Sequence, residues 1–351
     1  MLRVRDRDAP VSREGIIFRV MGYEHPNNFC ICDVEYAPEG IYKSSNPRAV
    51  RDGGKVKYYK FYFDEGLRFI AKNYPRYRLF SEKFGSYLVG IYEHQIYVLR
   101  RPDEGLRRLY SSTDSDPLLE ALYDLLDYIM EHSRLKLRDF GVFGSILHKI
   151  YNVFYSDIDL IVYGIDETAC LRETLNDLFE SQGSMLVNEY SGSKPPDHRY
   201  EKFKYLSKEE YMWHQQRKNI YVVLMSKQRR IKAEFEPVLK WSEINNNYEK
   251  IARVRKLGFV EAVFEIVDDT YSPFMPSIYD INILNMRGYA LNAKVDRIVS
   301  FVEEYRLQLF EGERGIVRGW LEEVTYVSGE KRYQITLSIG PRYYDQVLKK
   351  L

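Results

Sequence analysis

Cysteine is scarce in this chain of 351 residues, and the three present, Cys30, Cys32 and Cys170, cannot frame a disulfide scaffold. Cys30 and Cys32 have no second pair to complete a zinc site; His25 lies near them, but buried thiols are the simpler expectation. No run of about 18 apolar residues occurs, so no membrane-spanning helix is expected. The opening stretch MLRVRDRDAPVSREG lacks the apolar core of a secretory signal, which leads to the expectation of a cytoplasmic protein. An excess of one charge is missing too: 52 Lys and Arg face 51 Asp and Glu, and a net +1 announces no polyanionic partner. Neither a G-x-G-x-x-G following a strand nor a G-x-x-x-x-G-K-[ST] loop is present, which removes the commonest dinucleotide and NTPase readings.

The remaining balance, 45% apolar and 29% charged, is that of a soluble globular protein. The length suits two or three domains, each able to bury a core. Charge is unevenly distributed. Residues 41–110 carry 15 Lys and Arg against 7 Asp and Glu, with 10 tyrosines interleaved, and residues 194–233 carry 11 against 4. Each stretch could simply solvate a surface; together they would attract a nucleotide or nucleic acid.

The most informative segment is Gly141–Gly164, GVFGSILHKIYNVFYSDIDLIVYG. A hydrophobic strand ends at Gly144-Ser145; after a spacer, Ser156-Asp157-Ile158-Asp159 runs into Leu-Ile-Val-Tyr. Strand alternation puts Asp157 and Asp159 on one side and Ile158, Leu160 and Val162 on the other. Two carboxylates held side by side repel each other unless a divalent cation lies between them, and hard oxygen donors suit Mg²⁺ or Mn²⁺. The Gly-Ser turn can aim backbone N–H groups and the Ser145 hydroxyl at a phosphate. The bland alternative, a strand-capping Asp157 and an arginine-paired Asp159, leaves the Gly-Ser turn and the spacing unexplained.

Further along, Ile231–Leu239 reads as a strand in which Glu234 and Glu236 share a face. Glu234 is the deeper, whereas Glu236 precedes Pro237, where the strand is expected to leave its sheet. Arg229, Arg230 and Lys232 stand just upstream, equally suited to phosphate contacts or to the surface. His148 and His214 are expected as packing or surface residues rather than phosphate ligands.

The Gly-Ser and Asp-x-Asp elements, with Ile231–Leu239 and the region Val263 to Pro276-Ser-Ile-Tyr-Asp-Ile, resemble the archaeal predicted nucleotidyltransferases of the DNA polymerase β-like superfamily. The resemblance implies an α+β fold: a central catalytic domain, a mixed sheet with flanking helices, between two smaller, mainly β domains. The expected boundaries are 1–112, 113–245 and 246–351, the last a β-barrel or OB-like module. It also implies that Asp157, Asp159 and a third acid, Glu234 in preference to Glu236, bind Mg²⁺ or Mn²⁺ and act in catalysis. Gly144, Ser145, Arg229, Arg230 and Lys232 would then hold the nucleotide. The expected reaction is transfer from an NTP or dNTP to a hydroxyl, with RNA or DNA as acceptor. Modification of a protein or small molecule, and a binding module without turnover, stay open.

Overall fold

The computed structural model describes residues 2–54, 56–192, 199–225, 230–340 and 342–351. Eight strands form the first sheet: β1 (Ala9–Ser12), β2 (Ile17–Val20), β3 (Phe29–Pro38), β4 (Val50–Asp52), β5 (Lys57–Lys60), β6 (Arg78–Ser81), β7 (Ser86–Tyr92) and β8 (Ile96–Arg100). Its path runs β4-β5-β3-β2-β1-β8, with β7 paired to β3 and β6 to β7. Alternation along β3 buries Cys30, Cys32 and Val34 with Phe18, Phe61, Phe69 and Ile70, the last two from α1 (Glu65–Asn73). The cysteines are therefore small apolar core residues. Burial raises both thiols, Cys30 to about 12.

Helix α2 (Pro102–Tyr110) opens with proline in its first turn and α3 (Pro117–Glu131) repeats the device. Asp116 caps α3, accepting from Leu118 N at 2.8 Å and Leu119 N at 3.0 Å. The second sheet comprises β9 (Phe140–Val142), β10 (Ile158–Tyr163), β11 (Leu186–Asn188), β12 (Tyr221–Met225) and β13 (Arg230–Val238), ordered β11-β12-β13-β10-β9. Its β10–β13 contact is parallel and the others antiparallel. The short α4 (Gly144–Leu147) and the longer α5 (Ile165–Glu180) precede and follow β10.

The third sheet is built from β14 (Ile251–Asp268), β15 (Ser277–Arg287), β16 (Val295–Ser300), β17 (Arg314–Tyr326), β18 (Lys331–Leu337) and β19 (Val347–Lys350). The path β14-β15-β16-β18-β17 returns to β14, closing a five-stranded barrel whose only parallel contact is β16–β18. Strand β19 lines β17 beyond the end of β18. Closure leaves few unpaired strand edges.

The chain forms two compact units. One comprises residues 1–80, 87–188 and 220–246; the other comprises 81–86, 189–219 and 247–351. Within the second unit, α6 (Lys208–Gln216) is fixed to the barrel's segments through His214, whose Nδ1–H donates to Gln308 O at 2.9 Å while Nε2 accepts from Lys350 N at 3.3 Å.

The fold expected from the resemblance is corrected by these elements. Among the described residues the structure is mostly sheet, 37% strand against 26% helix, with six helices and three sheets, not a polymerase β-like core with helices flanking it between two smaller β domains. It is α+β only in the loose sense. The physical reason lies in composition: aromatic residues make up 15% of the chain, and with the β-branched residues they favour pleated surfaces over helices.

Candidate functional site

Strand β10 begins at Ile158, so Asp157 is the exposed residue just before the strand and Asp159 its half-buried second position. Asp159 is in register with Glu234 on the parallel neighbour β13. Paired residues of adjacent strands point to the same face, and neighbouring strands lie about 4.8 Å apart. Alternation along β13 adds Lys232 and Glu236 to that face. The strand pairing therefore brings Asp159 and Glu234 together from segments far apart in sequence.

The Gly-Ser turn meets the same carboxylate. Phe143 N–H donates to Asp159 O at 2.9 Å as β9 ends, and Gly144 follows with φ +57°. A Cβ on Gly144 would collide with Asp159 Oδ2. Glycine at 144 is thus required twice, by its left-handed backbone and by the carboxylate lying over its Cα. Ser145 is buried in the first turn of α4, and its carbonyl accepts from Ile150 N at 3.0 Å.

Burial raises the Asp159 carboxyl to about 7; Lys60 opposes this, while Asp157, Glu35 and Glu236 add to it. The acids that repel Asp159 outnumber the opposing cation, and bound positive charge would relieve that repulsion. Lys60 and Glu35 come from the first sheet, where Lys60 on β5 is in register with Tyr36 on β3. Among the described residues Lys60 makes no salt bridge.

Glu236 serves otherwise. Its Oε2 accepts from Arg7 Nη2 at 2.6 Å and Arg7 Nε at 3.0 Å. Arg7 is fully buried and also lies 3.5 Å from Asp6 Oδ2. A carboxylate so engaged with a buried guanidinium is a structural ion pair, and Glu234 is the acid of this strand placed beside Asp159. Of the expected phosphate-binding cations, Lys232 is half-buried on the Glu234 face, Arg230 is exposed at the start of β13, and Arg229 lies outside the described residues.

Glu35, which sequence reasoning passed over, adds its charge to this centre. Glu35 is buried, with Oε2 free of hydrogen bonds and 3.9 Å from His148 Nε2. Arginine only donates, so the 2.9 Å bond from Arg100 Nη1 makes His148 Nδ1 the acceptor and leaves the proton on Nε2. His148 is thus a buried packing residue, its pKa lowered to about 3 by burial and by Arg100. The missed signal was alternation: FCICDVEYAP is a strand that places Glu35 on the face opposite the core, and attention to its cysteine pair obscured it. Arg5-Asp6-Arg7-Asp8 likewise offered two alternating pairs of opposite charge near the N-terminus.

Among the described residues no three His, Cys, Asp or Glu side chains gather as a ready-made metal cage. The donor chemistry nevertheless fits Mg²⁺ or Mn²⁺: Mg²⁺ is commonly held by one or two carboxylates and completed by substrate phosphates. No helix among the described residues is long and apolar enough to cross a membrane.

Comparison with known proteins adds kinship without function. A protein of Methanocaldococcus jannaschii, described only as uncharacterized, aligns with this chain at 27% identity over 369 residues, covering 99% of each. No protein-family model matches the chain. No solved structure matches it significantly either.

Proposed function

We propose that the chain is a nucleotidyltransferase that joins a nucleoside monophosphate from an NTP or dNTP to a hydroxyl of RNA or DNA and releases pyrophosphate. The observation that supports this most is the register of Asp159 with Glu234, combined with a Gly144 that cannot carry a side chain beside Asp159. The arrangement of these residues, and not the fold, supports this reading.

Asp157, Asp159 and Glu234 would hold Mg²⁺ or Mn²⁺, which when bound neutralises phosphate charge and lowers the pKa of an attacking hydroxyl. The residues do the positioning. Gly144 lets the turn approach closely, so that its N–H groups and Ser145 can orient phosphate oxygens. Lys232 and Lys60 place positive charge near the carboxylates, where it opposes the charge of a triphosphate and of the leaving pyrophosphate. Glu234 is the carboxylate suited to accept the proton of the attacking hydroxyl.

The test is pyrophosphate release from each NTP and dNTP with Mg²⁺ or Mn²⁺, with and without mixed short RNA and DNA, for wild type and Asp157→Ala/Asp159→Ala. Release in the wild type that disappears in the double variant is the expected result. A second reading, a nucleotide- or nucleic-acid-binding module without turnover, makes the opposite prediction. Binding without release would select it.

A further inference from the structure

The second unit carries a layer of aromatic rings and cations on the outer face of the β14–β17 seam. Trp320 on β17 pairs in register with Phe259 on β14, and their rings meet edge to face at 5.3 Å. The register slips between Lys256 and Gly258, and this irregularity turns Lys256 to the same side as Phe259. Lys256 Nζ consequently lies 5.1 Å from the Trp320 ring. The Arg342 guanidinium covers the Phe259 ring at 3.7 Å. Two residues along β17 from Trp320, on the same face, the Arg318 guanidinium covers Tyr205 at 3.8 Å. Tyr205 is 40% exposed, while Phe259 and Trp320 are each half-buried.

Alternating flat rings and flat cations of this kind do more than any one pair would suggest. Arg318 and Arg342 have carboxylate partners, Glu261 at 3.3 Å and Asp345 at 3.3 Å. Lys256 is exposed on β14 and, among the described residues, makes no salt bridge. The seam therefore offers ring and guanidinium planes for stacking, bordered by unneutralised charge suited to phosphates. Double-stranded nucleic acid presents no base faces to such a surface, and a polyanion without bases would use only the charge.

We propose that this seam is a binding site for single-stranded nucleic acid, with Trp320 and Phe259 stacking on bases and Lys256 contacting the backbone. The site stands on its own observations and does not require nucleotidyl transfer.

The experiment is fluorescence anisotropy of the full chain with labelled oligouridylate and oligothymidylate of about 20 nucleotides, several times the smallest stacking footprints. Trp320→Ala and Phe259→Ala should each weaken binding roughly 5- to 100-fold, and Trp320→Phe should restore most of it. Lys256→Gln should reduce the dependence of affinity on salt. In case an alanine variant fails to fold, a Trp213→Phe/Trp241→Phe background leaves Trp320 as the sole tryptophan, and its emission should be quenched on saturation. The proposal is overturned if no oligonucleotide binds at low salt, if Trp320→Ala binds as wild type, if Trp320 emission is unmoved, or if a duplex of equal length binds equally well. Oligonucleotide binding that needs Trp320 in a protein releasing no pyrophosphate would sink the transferase reading alone. Pyrophosphate release with an oligonucleotide acceptor, indifferent to Trp320, would sink the platform alone.

Discussion

Single positions in and beside the candidate site carry separate consequences. Gly144 combines a φ of +57° with a carboxylate over its Cα. Gly144→Ala should cost roughly 1–3 kcal/mol of stability and also weaken cation-dependent nucleotide binding. Gly183 makes the control, because it shares a positive φ of +81° but has open space around its Cα. Gly183→Ala should cost stability only, by chemical denaturation, and leave binding intact; equal effects on binding would remove Gly144 from the site. The second case is Arg7 with Glu236, whose removal singly should cost about 3–5 kcal/mol by stranding a buried charge. Arg7→Met with Glu236→Leu together should cost far less than the sum, measurable as a double-mutant cycle.

Asp8 sets a pH dependence. Burial raises its carboxyl to about 7 from 3.8, against the pull of Arg5. The folded chain then holds this proton more tightly than the unfolded one. Its stabilising contribution is full below about 4 and is lost as pH rises to about 7. Asp8→Asn should flatten the fall in unfolding free energy across that window; an unchanged slope would show that Asp8 does not titrate there.

At the scale of elements, periodicity reported much of what formed. The spacing of Leu118, Leu119, Leu122, Leu125, Leu126 and Ile129 predicts a helix of roughly four turns from Pro117, and α3 spans Pro117–Glu131 with all six buried. Ile158–Tyr163 is a strand with the bounds that its apolar run suggests. Partners are a different matter, because a strand's sequence states which residues share a face and not which strand lies beside it. Asp157 and Asp159 could be read as a pair from local alternation, but the register with Glu234 depends on two segments more than 70 residues apart. The ion pair that joins Glu236 to Arg7 is likewise a long-range contact, which no pattern within β13 reveals. Helix α2 was hidden inside a stretch that reads as β-structure, although Pro102, Asp103 and Glu104 are first-turn residues.

Helix α6 carries its own prediction. His214 uses Nδ1 as donor and Nε2 as acceptor, a pattern open only to the neutral ring, and burial with Lys218 and Arg217 lowers its pKa to about 3. With a folded pKa below the unfolded value of 6.5, its contribution is full above about 6.5 and is lost as pH falls toward 3. The hydrogen-exchange protection of α6, relative to the intrinsic rate at each pH, should therefore fall through that range, and His214→Gln should abolish this fall. Protection in the wild type that stays constant across the range would refute this role.

For the whole molecule, a net charge of +1 conceals an uneven distribution of charge. The two compact units have different surface chemistry: carboxylates gathered on β10 and β13 in one, rings and cations along β14 and β17 in the other. The first suits a cation with a nucleotide, the second a strand with exposed bases. The relative from Methanocaldococcus jannaschii aligns across both units, at 99% of each chain, so the pairing of the two is not peculiar to this sequence. The fold expected from the short motif failed for a related reason: a signature of some two dozen residues fixes local chemistry and leaves the arrangement of three sheets undetermined.

In the proposed cation-dependent nucleotidyl-transfer site the acids are Asp159 and Glu234, and not Glu236. The direct measurement is transfer of label from an α-phosphate-labelled NTP to short RNA or DNA with Mg²⁺, comparing wild type, Asp159→Asn, Glu234→Gln and Glu236→Gln at a temperature where each is folded. Transfer should fall at least 100-fold in the first two variants and persist in Glu236→Gln, which should instead unfold at a lower temperature. Equal transfer in wild type and Asp159→Asn, or none in any protein that still binds nucleotide, would contradict the account.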